Sequence, residues 1–361
     1  MSAEELTDRQ ALILKLIVRE HVRTVDPVAS GALVDSYNLG VSSATVRNEM
    51  ARLEELGYLL QPHTSAGRIP TESGFRYFVE RLMNEEALSP VEQRQIAHQF
   101  YQAQDHIEQW MPLAASVVAR TTQGAAVVTA PRAERAIYKH LELIATHGRA
   151  VLMVLVLQGG TVEQRMLALP ELLGQPVLSE AADRLNQMCS GLTAMAIRKR
   201  TLTLPDLEKD ILDVVLSLME QTEQQPANEI YRHGIPQLLE QPEFAESEST
   251  GLIRVLEESN RLQAVIADAL NPVSGVGGIR VVIGGEGQWD ALRMCSLVVT
   301  RYGVADYATG ALGVLGPVRM SYGRTISVVR FVAGVLNEMV YEMYQPLDQD
   351  RLASNSSESH D

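Results

Sequence analysis

Along the first 57 residues, apolar positions recur at helical spacing in three separate runs. Leu12, Ile13, Leu16 and Ile17 share one face, and Thr7 with Gln10 three residues on forms a capping box. The first helix is therefore predicted from Thr7 to about Arg23. Asp26-Pro27 places a cap before a proline suited to a first helical position, which predicts a second helix from Pro27 to about Tyr37. The turn Asn38-Leu39-Gly40 leads to a third run, where Val46, Met50, Leu53 and Gly57 fall on one side. Ser42 and Ser43 mark its start, and Gly57 suits the left-handed conformation that ends helices. Tyr58-Leu59-Leu60 then reads as a strand, Gln61 to Gly67 as a polar tip, and Arg68-Ile69 as the return strand closed by Pro70. Three helices and a hairpin predict a winged helix-turn-helix.

Downstream, the pattern predicts a connecting helix from Thr71 to Ala87 with Phe75, Phe78, Val79 and Leu82 on one stripe. A long helical stretch from Pro90 to Arg120 follows, with Pro112 as its kink. Strands are predicted at Ala125–Thr129, Ile137–Ala145, Arg149–Leu157 and Thr161–Ala168, with Gly159-Gly160 as a hairpin signal. From Pro170 to about Ser249 the period returns to helical, around a turn at Leu204-Pro205-Asp206, with a short strand at Glu229–Ile235. Strand-like runs resume at Ile279–Ile283, Ser296–Tyr302 and Gly310–Leu315, and a final helix spans Thr325–Met343. Strands on both sides of a helical block predict one domain inserted into another. The class is α+β and multidomain.

The free face of the third helix changes this picture from fold to chemistry. Opposite Val46 and Met50 the projection places Ala44, Thr45, Arg47, Asn48 and Arg52. Guanidinium pairs with guanine and carboxamide with adenine through two hydrogen bonds each, so Arg47 and Asn48 are the candidates for base edges in a major groove. Ser42 and Ser43 fit caps or phosphate donors. In the hairpin tip, His63, Thr64 and Arg68 are candidates for the phosphate backbone or the minor groove.

Charge qualifies that expectation. The 361 residues carry a net charge of −14, of which only −2 falls in residues 1–83, with nine basic and eleven acidic side chains. A near-neutral reading module lacks the broad basic footprint of a monomeric DNA binder, and fits a dimer that uses two half-sites and a few placed arginines. The longest apolar run, Ala150–Leu157, is eight residues, too short to cross a membrane. Neither a signal segment nor a short cysteine motif is present: Cys189 and Cys295 stand far apart, which points to a reduced, cytoplasmic setting. The glycines around Ile279–Ile283 match neither dinucleotide nor P-loop spacing. The eight histidines form no metal pattern and no catalytic constellation appears, so the expectation is a non-enzyme without cofactor or metal.

The run SATVRNEMARLEELGYLLQPHTSAGRIPTESGFRYFV resembles the bacterial family of heat-inducible transcription repressors called HrcA. LLEQPEF at Leu238–Phe244, IGGE at Ile283–Glu286 and GVLGPVRMSYGRTISVVRFV at Gly313–Val332 resemble it too. The resemblance spans nearly the whole chain up to Pro346. It implies a winged-helix domain at 1–88 and a GAF-like domain in two parts, 89–169 and 251–345. Between those parts it implies an inserted dimerisation domain at 170–250, and the tail 346–361 reads as disordered and acidic. It further implies a homodimer that binds double-stranded DNA at an inverted repeat called CIRCE and represses the groE and dnaK chaperone operons. The GroEL chaperonin would maintain the active form, and heating would release repression. The rival expectation is a winged-helix regulator controlled by a small ligand in the GAF-like domain.

Overall fold

Thr7 opens α1 (Asp8–Thr24): its hydroxyl accepts the Gln10 N–H while the Gln10 side chain accepts the Thr7 N–H. The molecule is described from a computed structural model covering residues 6–63, 66–103, 106–132, 135–158, 161–200, 204–224, 229–244, 249–273, 275–305 and 307–344. Thr64, the Gly159-Gly160 signal and the tail from Pro346 lie outside the described residues.

Ile13, Leu14, Leu16, Ile17 and Val18 bury one side of α1, but Leu12, expected among them, is 46% exposed. The second helix, α2, spans Ser30–Ser36, three residues later than Asp26-Pro27 suggested. The reason is a long-range pairing. Val28 exchanges both backbone hydrogen bonds with Arg68 at 2.9 Å, which holds the residues before α2 extended. Tyr37, just past α2, donates its hydroxyl to Glu20 of α1 at 2.6 Å, and with Arg23 this holds the Glu20 carboxyl below the usual range. α3 (Ser43–Glu55) follows, and Gly57 takes φ +80° just beyond it. β1 (Leu59–Leu60) and β2 (Ile69–Pro70) pair antiparallel.

The connecting helix is shorter than predicted. α4 (Glu72–Tyr77) widens into a π-helical turn over Phe78–Leu82 and stops at Met83. The long stretch expected from Pro90 to Arg120 is two helices, α5 (Pro90–Gln102) and α6 (Ile107–Thr122). Pro112 sits inside α6, while α5 is capped at Ala103, whose carbonyl takes the buried Trp110 Nε1–H at 3.0 Å.

Beyond α6 come strands β3 (Ala125–Thr129), β4 (Tyr138–Ala145), β5 (Ala150–Leu157) and β6 (Val162–Ala168), then helices α7 (Gln175–Cys189), α8 (Ala194–Lys199) and α9 (Asp206–Gln224). β7 (Ile230–His233), α10 (Ile235–Leu239), α11 (Ser249–Glu257), α12 (Ser259–Leu270), β8 (Ile279–Ile283), β9 (Cys295–Val304), β10 (Ala308–Pro317) and α13 (Tyr322–Tyr344) complete the order.

The chain divides into two units: residues 1–129, 230–302 and 311–336 form the first, and 130–229, 303–310 and 337–361 the second. The first holds a five-stranded sheet of order β7-β3-β10-β9-β8. β9 and β10 are buried almost end to end, as strands covered on both faces must be. Leu297, Val299 and Leu315 pack with Leu262, Val265 and Ile266 of α12. The alternate residues face α13, where the Ser296 and Tyr322 hydroxyls meet at 2.7 Å. Inserted residues 130–229 leave from Thr129 and return at Ile230, two positions paired across β3 and β7.

An insertion was predicted, but not where it lies. Residues 130–169, assigned from the sequence to the first part of the sheet domain, belong to the second unit. β4, β5 and β6 form a separate antiparallel sheet. Its buried positions, among them Leu141, Leu143, Met153 and Leu155, pack with Leu178 and Leu185 of α7 and Val215 and Met219 of α9. The strands bury their apolar face on the helices that follow them, so the boundary falls at Thr129 and not at residue 170.

One ion pair in the first unit carries an expected acid dependence of the fold. Glu92, at the start of α5, completes a capping box with Ser89 and takes the Arg324 Nη2 at 2.5 Å. Arg324 and Ser89 hold its carboxyl down to about 2 against an ordinary 4.5. A depressed carboxyl contributes stability that is complete above its unfolded value and is lost as pH falls through its folded one. Acid unfolding followed from pH 5 to pH 2 should therefore be shallower in Glu92→Gln than in the parent. Superimposable profiles would show that the pair contributes nothing.

Candidate nucleic-acid interface

The candidate surface is built on α3. Val46, Met50 and Leu53 are buried to within 2% exposure, which fixes the helix's orientation against α1 and α2. Glu49, half-buried, receives the Gln10 carboxamide at 3.2 Å and lies 3.7 Å from the Arg9 guanidinium, tying α3 to the start of α1. With its apolar side committed, α3 turns Ser43, Arg47, Asn48 and Arg52 to solvent, with Thr45 half-exposed between them.

Ser42 is the N-cap: its Oγ accepts the Thr45 N–H at 3.2 Å and lies 3.0 Å from the Thr45 hydroxyl. Ser43 is the first helical residue. Arg47 and Asn48 are both exposed, and among the described residues neither has a hydrogen-bond or ionic partner in the fold. Arg52 differs, because its Nη1 pairs with Glu55 at 2.8 Å on the exposed surface. A bond between two exposed side chains contributes well under about 1 kcal/mol and yields readily to a phosphate.

The hairpin modifies the expectation for Arg68. His63 is exposed at the tip, but Arg68 is only 13% exposed. Its Nε and Nη2 both lie 2.9 Å from Glu54 Oε2 on α3, and the same carboxylate accepts the Gln61 N–H through Oε1 at 3.2 Å. Gln61 in turn donates to the Ala66 carbonyl at 2.9 Å. Glu54 thus fastens both arms of the hairpin to α3. Arg68, expected to contact DNA, is in this structure engaged by a carboxylate 14 residues back in the chain and braces the hairpin. It lines, together with Arg47 and Gln61, a hollow of about 360 Å³ between α3 and the hairpin. Glu54 carries no local signal, since its partner is remote. The third arm of the brace, Val28 against Arg68, was hidden for the same reason.

Arg68→Ala is accordingly expected to lower the unfolding free energy by about 1–2 kcal/mol, as removal of one partner from a half-buried pair does. The salt dependence of DNA binding should barely change. A parental unfolding curve with a salt slope reduced by about one unit would instead mark Arg68 as a phosphate contact.

Among the described residues, no group of three or more His, Cys, Asp or Glu side chains could hold a metal ion, and no helix is long and apolar enough to cross a membrane. Both cysteines are buried and unpaired, and burial pushes the Cys295 thiol up to about 12.

The helices, the hairpin and the two sheets define a multidomain α+β protein, and its relatives give the class as transcription repressors. The family profile described as the HrcA protein C terminal domain matches residues 108–326. The heat-inducible transcription repressor HrcA of Roseiflexus castenholzii is 45% identical over 349 residues, 94% of this chain and 96% of the relative. The Chloroflexus aggregans protein of the same name is 42% identical, over 99% of this chain and 98% of its own. The chain belongs to the HrcA family. A solved structure described only as a hypothetical protein covers 93% of this chain and 98% of its own with a TM-score of 0.55; at 23% identity it speaks for the fold alone.

Proposed function

We propose that this protein is a winged-helix transcriptional repressor of heat-shock chaperone operons of the groE and dnaK type. It acts in the cytoplasm and binds a CIRCE inverted repeat as a homodimer. The observation that carries this reading is α3, whose buried side is fully used by the fold while Arg47 and Asn48 stand exposed with no partner among the described residues. Those two side chains match the donor and acceptor patterns of guanine and adenine edges. Full-length similarity to proteins named heat-inducible repressors supports the same reading.

Each half of an inverted repeat calls for an identical reading module, which makes a two-fold symmetric dimer the matching assembly. The inserted second unit is the proposed dimerisation domain, and the sheet of the first unit the proposed GAF-like one. Loss of repression on heating follows if the DNA-competent population is only marginally stable, with a GroEL-type chaperonin restoring it. The test is titration of the purified chain against a CIRCE-type duplex and a scrambled duplex, across a salt series and across temperature. Preference for the repeat at low temperature, lost on heating and recovered with chaperonin, is the expected result. Equal affinity for both duplexes under every condition rules the reading out.

A further inference from the structure

We propose that a cavity in the first unit, between α12 and strands β8 and β9, binds a small monocarboxylate with an apolar body, and that Arg280 is its anchor. The cavity holds about 130 Å³ and is walled by Val265, Ala269, Val282, Leu292 and Leu297. An apolar cavity of about 150 Å³ accommodates a molecule the size of benzene, so the ligand's body is of that order.

Arg280 supplies the polar requirement. It lines the cavity from β8, and its Nη1 is sealed from solvent without a hydrogen-bond acceptor among the described residues. Guanidinium does not deprotonate in proteins, so an unmet N–H and its charge persist until an acceptor arrives. The two acids on the same wall are already engaged. Asp268 accepts the Trp289 indole N–H at 3.1 Å, and Glu286 is held by Arg76. Neither forms an ion pair with Arg280 among the described residues. One carboxylate would meet the guanidinium and leave its body against the apolar wall. An inorganic phosphate has no apolar body to set against Val265, Ala269 and Leu297, and a neutral molecule would leave the charge unmet.

The cavity wall also carries a connection to the proposed DNA-reading module. Gly284 and Glu286 line the cavity. Arg76 of α4, six residues past β2, donates Nε to Glu286 at 2.7 Å and Nη2 to the Val281 carbonyl at 2.8 Å. Glu72 packs so closely over Gly284 that a Cβ there would lie 2.3 Å from its Oε1. A ligand that reorders residues 284–289 must be felt through this grip. The coupling rests on the DNA-binding reading; the site itself does not.

The experiment is titration calorimetry of the full chain with benzoate, phenylacetate and isobutyrate, with benzamide and inorganic phosphate as comparators. Benzoate or another of the three acids should bind at least tenfold tighter than benzamide or phosphate. Arg280→Met should erase that preference, and Arg280→Lys should retain part of it. Arg280→Met should also unfold at or above the parental temperature, because it removes an unmet buried donor. Binding of the tightest acid no stronger than that of benzamide, absence of binding by all three acids at millimolar concentration, or an unchanged preference in Arg280→Met would each overturn the site. A destabilised Arg280→Met variant would do the same, since it would give Arg280 a purely structural role. The coupling is read separately, as operator affinity with and without the saturating acid. A shift of threefold or more supports it, while bound acid with unchanged operator affinity overturns the coupling alone. A chain that binds the acid but no operator counts against the DNA-binding reading and in favour of the site.

Discussion

Arg47→Ala is expected to weaken binding to an inverted-repeat operator by ten- to a hundredfold for each half-site read, without moving the unfolding transition. A bidentate arginine–guanine pair carries about 1–3 kcal/mol of discrimination, and a two-fold symmetric complex loses it twice. Stability should be spared because Arg47 is exposed and bonds to nothing among the described residues, while its neighbours Val46, Glu49 and Met50 hold that turn of α3 in place. Asn48→Ala should act in the same direction at a different base pair. Fluorescence anisotropy with intact and scrambled duplexes distinguishes the modes of contact. A loss confined to the intact operator marks base readout. A loss shared by both duplexes, with the salt slope lower by about one, marks a phosphate contact and removes Arg47 from the reading code.

The exposure of Arg47 was legible in the sequence and the pairing of Arg68 with Glu54 was not, and the difference is physical. The face of α3 follows from a period: Val46, Met50 and Leu53 must be buried, so the residues opposite them must face solvent. Gly57 and the Thr7–Gln10 box were legible for the same local reason, because a cap is satisfied within a few residues. The fate of Arg68 depends on Glu54, and the start of α2 on a backbone bridge from Val28 to Arg68, forty residues away. The break between α5 and α6 depends on the Trp110 indole reaching Ala103, which no helical period records. β8, bounded by glycine turns, fell where the strand-like run Ile279–Ile283 put it. The inserted unit began some forty residues earlier than expected, because a strand pattern says nothing about which apolar surface will cover it. The candidate cavity was invisible for a related reason, since it joins Arg280 and Val282 of β8 to Val265 and Ala269 of α12, to Leu292, and to Leu297 of β9.

The second large effect is expected at Gly67. A Cβ placed there would lie 2.3 Å from the Val28 carbonyl oxygen, 2.4 Å from its carbon and 2.8 Å from the Ala29 nitrogen. All three are backbone atoms, so no side chain can step aside, and Gly67→Ala must push the hairpin off the segment before α2. The displacement strains or breaks both 2.9 Å hydrogen bonds between Val28 and Arg68. Overpacking costs about 1–3 kcal/mol and each lost hydrogen bond about 1 kcal/mol, so a loss of about 2–5 kcal/mol is expected. Two further glycines calibrate it. Gly31 in α2 has open space where its Cβ would go, so Gly31→Ala should be neutral or stabilise by up to about 1 kcal/mol. Gly57 has open space too but a φ of +80°, so Gly57→Ala should cost only the left-handed strain of about 1–2 kcal/mol. Operator affinity should follow a different order, because Gly67→Ala also moves Arg68 away from Glu54 and frees the hairpin from α3. Its affinity should fall further than that of Arg47→Ala and be lost on both intact and scrambled duplexes. The second unit's core, built from residues of 136–219, should keep its own unfolding transition. A Gly67→Ala chain that unfolds with Gly31→Ala and binds the operator like the parent would show that the hairpin is not anchored at Val28.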